Sequence, residues 1–185
     1  LVERTEAAGV LDLSREPDTA RDRYGRTRFG QSLLMARRLV EADVSLVTVN
    51  WDDDHKDDKV SPHWDTHVEN FPKLKDRLCP VFDRAFSALL DDMDERGLLD
   101  DTLVVCMGEF GRTPKINNRA ARDHWPRCYF SMWSGAGITT GRVIGESDRL
   151  GEDPLTDRIT PKMVGTTIAE LAGINAQARA EMNVL

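Results

Sequence analysis

Three short segments concentrate the side chains that can bind metals, move protons or hold anions: "HWDTH" from His63, "GEFGRTP" from Gly108 and "RDHW" from Arg122. In the first, Asp65 and His67 lie two residues apart, so an extended backbone turns both to one side and Trp64 and Thr66 to the other. A carboxylate and an imidazole offered together suit a divalent ion such as zinc or manganese; the same pair also fits a loop with a capping aspartate and an exposed histidine. In the second segment Gly108 and Gly111 bracket Glu109 and Phe110 and let the chain turn sharply. Arg112 then serves either as the ion-pair partner of Glu109 or as a planar fork of donors for an anionic substrate. In the third, Asp123 precedes His124, and that histidine is open to three uses: metal ligand, general base, or a buried hydrogen-bonded group.

The elements around these segments bring them together. "TARDRYGRTRFGQSLLMARRLVEA", Thr19 to Ala42, places Phe29, Leu33, Leu34, Arg37 and Val40 at helical spacing, with Gly25 and Gly30 delaying its regular start. "VSLVTVN", Val44 to Asn50, is β-branched and apolar on both parities, the pattern of a strand covered on both faces. Asn70 is placed to cap the next helix, which runs with apolar residues every three or four positions to Arg96 and stops at Gly97. "TLVVCM" follows as a second strand, "CYFSMWS" as a third, "GAGITTGRVIG" as a turn and short strand, and "TPKMVGTTIAELAGI" as a capped terminal helix. Strand, long helix, strand forms a right-handed crossover where the strands are parallel, which implies a layered α/β sheet. Ligands in such sheets collect beyond the carboxyl ends of the strands, so all three segments are expected on one rim.

Composition sets the outer bounds. A net charge of -7 argues against a general nucleic-acid binder, and no apolar run is long enough to span a bilayer. Cys79, Cys106 and Cys128 are odd in number and far apart, which fits neither a disulfide framework nor a thiolate zinc site. The acidic run Asp52 to Asp58 lacks the glycine and terminal glutamate of a helix-loop-helix calcium loop and reads as solvated. "SGAGITTG" is out of register for a dinucleotide fingerprint, and no G-x-S-x-G nucleophile elbow occurs.

The combination of "HWDTH", "GEFGRTPKIN", "RDHWP", "GRVIGESDRLGEDP" and "ITPKMVGTTIAELAGI" closely resembles the C-terminal half of the domain-of-unknown-function family 1501, over roughly residues 28 to 175. This bacterial family, abundant in planctomycete-type organisms, is placed near the alkaline phosphatase and sulfatase superfamily. The resemblance implies a layered α/β/α sandwich, alkaline-phosphatase-like, of which this chain is the C-terminal part. Residues 1–27 are then a partial lead-in and 28–185 the C-terminal part of one domain. It further implies a divalent metal ion (zinc, manganese, calcium or magnesium) held by Asp65, His67, Glu109 and His124, with Arg112 and Asp123 orienting substrate or ligands. The implied substrate is an anionic phosphate or sulfate ester, including saccharide esters, and the implied location is the bacterial envelope or periplasm. Relatives carry an N-terminal half with a "GGPSH"-like motif, where a superfamily nucleophile would lie. Two departures stand out. Phe110 occupies a position where relatives often have a histidine, and phenylalanine cannot ligate a metal; Ala121 replaces the expected glycine before "RDHW". A metal-dependent hydrolase is therefore expected, alongside a second reading, a non-catalytic envelope or binding protein on a degenerate hydrolase scaffold.

Overall fold

The computed structural model describes residues 9–52 and 61–183, so the acidic run lies outside the described residues apart from Asp52. The fold is mixed α/β and divides into two compact units, Leu1–Leu99 with Lys115–Asp123, and Asp100–Pro114 with His124–Leu185.

The first unit is helical. Where the periodicity suggests one helix from Thr19, the chain forms two: α1 (Asp18–Tyr24) and α2 (Arg28–Glu41). Gly25, at φ +83°, ends the first, and the Thr27 hydroxyl starts the second by accepting the Gly30 N–H at 3.1 Å. A side chain at Gly30 would meet the Tyr24 carbonyl oxygen at 2.2 Å, so the junction requires glycine. The long helix starts one residue earlier than a cap at Asn70 implies, as α3 (Asn70–Lys73), widens through a π turn (Leu74–Leu78) and continues as α4 (Cys79–Glu95). Pro80 has no N–H for the preceding turn, which accounts for the widening there. Gly97 (φ +69°) closes the helix, and the Leu98 N–H returns to the Met93 carbonyl at 2.8 Å. Tyr24, Leu33, Leu34, Leu78, Ala85, Leu89 and Met93 are buried between these helices; every apolar residue buried among the described residues belongs to this unit.

Arg37 occupies one of the apolar helical positions and is 1% exposed. Its guanidinium donates to Asp92 Oδ2 (2.9 Å), Glu41 Oε2 (2.7 Å) and Glu16 Oε2 (2.8 Å), and the Tyr24 hydroxyl donates to the same Asp92 oxygen at 2.8 Å. Arg96 closes the ring through Asp92 Oδ1 (2.7 Å) and Glu41 Oε1 (2.9 Å). A buried charge persists only where it is paired and hydrogen-bonded, and all of Arg37's polar arms are engaged. Burial alone would raise the Glu16 and Asp92 carboxyls; hydrogen bonds from Arg37 and Arg38 to Glu16, and from Arg96 and Tyr24 to Asp92, with the guanidinium charges, outweigh it and hold both below their ordinary values.

The second unit carries the strands. β1 (Val104–Met107) pairs with β4 (Ser131–Ser134), and β2 (Gly111–Arg112) with β3 (His124–Trp125), both antiparallel and nested one inside the other. Beyond them Thr160 caps α5 (Pro161–Leu171), accepting the Met163 N–H at 3.3 Å, and Asn175 caps α6 (Ala176–Glu181). The strand expected at Val44 to Asn50 forms no ladder among the described residues; Leu46 is 81% exposed, and Val47 and Val49 are half-buried. Apolar composition on both parities favours a strand only where neighbours supply hydrogen bonds and cover, and among the described residues this segment has no ladder and only partial cover. The parallel crossover is accordingly not formed among the described residues, and both sheets are two-stranded and antiparallel. The short strand expected within "GAGITTGRVIG" is irregular for the same reason, and the nearest pairing is the single bridge between Ser147 and Pro154.

Replacing Arg37 with alanine leaves Asp92 to Arg96 and Tyr24 alone and Glu16 to Arg38 alone, and is expected to cost about 3–5 kcal/mol in urea unfolding. Because both folded carboxyls lie below their ordinary values of 3.8 and 4.5, their contribution is complete above those values and is lost as pH falls through the lowered ones. The wild-type urea midpoint should therefore fall below about pH 4, and it should fall less in Arg37→Ala.

Candidate metal-binding site

The "HWDTH" loop is built on aromatic packing. Trp51 lies against Phe29 of α2 (centroids 4.4 Å) and edge-on to Trp64 (5.1 Å), and Trp64 meets Phe82 of α4 edge-on at 6.1 Å. Ser61 and Thr66, both within 1% of full burial, tie the loop from inside. The Ser61 hydroxyl donates to the Asp65 carbonyl (2.8 Å) and accepts the Val68 N–H (3.1 Å), and the Thr66 hydroxyl donates to Asn70 Oδ1. Asn70 therefore anchors the loop instead of capping the helix; the capping position is Glu69, left-handed at φ +53°. Trp64 and Thr66 point inward and Asp65 and His67 outward, as their spacing implies, although turns rather than a strand carry them.

A carboxylate faces each nitrogen of the His67 ring. Asp65 Oδ1 stands 3.0 Å from Nε2, and Asp123 Oδ1 stands 2.8 Å from Nδ1. Asp123 is held in turn by the Asn117 carboxamide, whose Nδ2 donates to the same Oδ1 at 3.2 Å. Asn117 also organises its own loop: its Oδ1 accepts the N–H groups of Arg119 (2.9 Å) and Ala121 (3.1 Å), and its N–H donates to the Ala121 carbonyl (2.8 Å). The left-handed residue of this loop is Ala120, at φ +53°, and Ala121 is fully buried, so alanine is accommodated where glycine is expected. Arg122, next in the chain, lies over the Phe71 ring at 5.7 Å and fixes the approach to Asp123. His67, Asn117, Asn118, Arg119 and Asp123 line an open pocket of ≈ 420 Å³.

Asp65 and His67 fit a divalent cation by spacing as well as by type. Two ligand atoms each about 2.0–2.2 Å from one zinc ion stand roughly 3 Å apart or slightly more, and the Asp65 oxygen and His67 Nε2 are 3.0 Å apart. In the tautomer whose Nδ1–H donates to Asp123, the Nε2 lone pair is left on the Asp65 side as a ligand atom for a cation, the carboxylate–histidine–metal arrangement.

The remaining residues picked out by sequence stand in the second unit. Arg112 and His124 are opposed in the β2–β3 ladder, and the His124 ring packs on Phe110 with centroids 4.1 Å apart and planes at 37°. Trp125 is anchored by its indole N–H to the Glu152 carbonyl (2.8 Å), and Arg127 lies over its ring. Glu109 is exposed on the turn before β2, and Arg112 lies in β2 opposite His124. Sequence reasoning passed over Asn117, Asn118 and Arg119; the signal was a pair of turn-forming asparagines a few residues before Asp123.

The chain belongs to the family described as "Protein of unknown function (DUF1501)", whose family model matches residues 3–182, nearly the whole length. No curated protein and no solved structure matches it.

Thr66→Val keeps the shape of the loop's inner side chain but leaves the buried Asn70 carboxamide oxygen without its donor. Urea unfolding should show a loss of about 1–3 kcal/mol, and hydrogen exchange should show faster exchange at Val68 and His67 than in wild type.

Proposed function

We propose that this protein is a metal-dependent hydrolase-like domain acting on phosphate or sulfate esters, with Asp65 and His67 holding a divalent cation and Asp123 fixing the imidazole. The observation that carries the reading is the single imidazole with a carboxylate at each ring nitrogen, one of them oriented by Asn117. The outer pair, Asp123 and His67 Nδ1, supplies orientation; the inner pair, Asp65 and His67 Nε2, supplies ligands. A divalent ion bound there would polarise an ester oxygen or generate hydroxide from water at neutral pH. The chain's own groups do the rest: the Asn117 loop holds Asp123, Asp123 holds the ring, and the pocket beside them admits the substrate.

The family match spans the segments carrying these groups, and its description names no reaction. The proposal extends to the fold as the C-terminal part of an alkaline-phosphatase-like layered α/β/α sandwich, and to an envelope location for the protein. Glu109 and His124 remain the ligands that the sequence suggests from the second unit, with Arg112 orienting an anionic substrate.

A second reading, a non-catalytic binding protein on the same scaffold, is favoured by one observation. Phe110 fills the position beside Glu109 and covers a face of the His124 ring, so an aromatic contact stands where relatives offer another ligand.

Zinc and manganese titrations by calorimetry on the full chain should show a saturable site in wild type. Asp65→Ala and His67→Ala should abolish it, and Asp123→Ala should weaken it by about 10–100-fold. Unchanged binding in His67→Ala would contradict the ligand assignment. Bound metal without turnover of any aryl phosphate or aryl sulfate would favour the second reading.

A further inference from the structure

One charged group lining the pocket beside His67, the exposed Arg119 guanidinium, has no ion-pair partner among the described residues. Its lining is polar: an imidazole, the Asn117 and Asn118 carboxamides, the Arg119 guanidinium and the Asp123 carboxylate. Asp123 is already committed to His67 and Asn117 through the same oxygen. Arg119, by contrast, pairs with no carboxylate among the described residues, although the chain carries 32 acidic residues against 25 basic ones. Arg23, Arg26, Arg37, Arg38 and Arg96 in the same unit each hold at least one carboxylate, and Arg21 and Arg84 are tied to neutral oxygens. An acidic protein that leaves an arginine uncommitted at the mouth of a polar pocket has a cation available for a ligand.

The backbone also fixes where that arginine starts. Asn117 Oδ1 accepts the Arg119 N–H, and the loop closes through the Ala120 N–H to the Asn117 carbonyl at 3.1 Å, with the buried Ala121 beneath it. The residue that orients Asp123 thus also orients Arg119, so the two sides of the pocket are set by one carboxamide. A guanidinium presents a planar fork suited to two oxygens of a tetrahedral oxyanion, and the Asn118 carboxamide beside it adds neutral donors.

We propose that Arg119 is the specificity-determining residue of this pocket and recognises the charged oxyanion, phosphate or sulfate, of the ester substrate. The proposal rests on the metal-site reading above for the word substrate, but the anion site itself requires only the pocket and the guanidinium.

The test is binding of inorganic phosphate and inorganic sulfate to the full chain, followed by calorimetry with and without zinc, in wild type, Arg119→Ala, Arg119→Lys and the control Arg142→Ala. Arg142 is an exposed arginine outside the pocket. Arg119→Ala should weaken the anion by roughly 10-fold or more, Arg119→Lys should recover part of the loss, and Arg142→Ala should bind as wild type does. Zinc affinity should be unchanged in Arg119→Ala. Equal anion affinity in Arg119→Ala and wild type, an equal loss in Arg142→Ala, or no anion binding by wild type at all would overturn the proposal. Loss of zinc binding to wild type alongside Arg119-dependent anion binding would instead remove the metal-site reading and leave the anion site standing.

Discussion

The first unit depends on the buried Arg37 guanidinium. One side chain joins the turn at Glu16, the end of α2 at Glu41 and the body of α4 at Asp92, while Tyr24 from α1 shares the Asp92 oxygen. An apolar residue in its place would pack against one neighbour at a time and give no direction to the contact; the guanidinium fixes the rotation of each helix about its own axis. That rotation points Phe29 and Phe82 toward Trp51 and Trp64, and this aromatic group is the floor of the "HWDTH" loop. A salt bridge in the core is weak evidence for net stability, since desolvation offsets much of the attraction. Its structural contribution here is register, which is what a site built from a loop needs.

From that floor, positioning passes outward through hydrogen bonds of decreasing burial. Ser61 and Thr66 are buried and define the loop; Asp65 and His67 are partly exposed and carry the chemistry. Asn117 and Asp123 reach His67 from the other segment of the unit. The imidazole ends with both nitrogens engaged by carboxylates more exposed than itself. The arrangement presents a carboxylate oxygen and a ring nitrogen at ligand spacing.

Local features were legible in the sequence because local physics sets them. The long helix, its stop at Gly97, the Thr160 cap and the outward pairing of Asp65 with His67 all follow from spacing and capping chemistry. The break at Gly25 and the π turn before Pro80 are refinements of the same kind. What spacing did not reveal depends on partners distant in sequence. Val44 to Asn50 has the composition of a buried strand, but a strand exists only with a neighbour, and composition does not name one. Asp123 was singled out beside His124, whereas its hydrogen bond is to His67, 56 residues earlier. Arg37 reads as an amphipathic exception on a helical wheel, and only the three carboxylates that converge on it explain its place. Family membership adds a strong statement of kinship and, by its own description, no reaction.

The central claim is that His67 binds a divalent ion through Nε2, shared with Asp65, while Nδ1 keeps its proton for Asp123. Long-range proton–nitrogen correlation of the histidine rings during a zinc titration tests it directly, because the two ring nitrogens report separately on protonation and metal binding. The account predicts that zinc moves the His67 Nε2 resonance to the metal-bound position, with Nδ1 remaining protonated. Zinc bound through Nδ1, or zinc binding that leaves both His67 nitrogens unmoved, would contradict it.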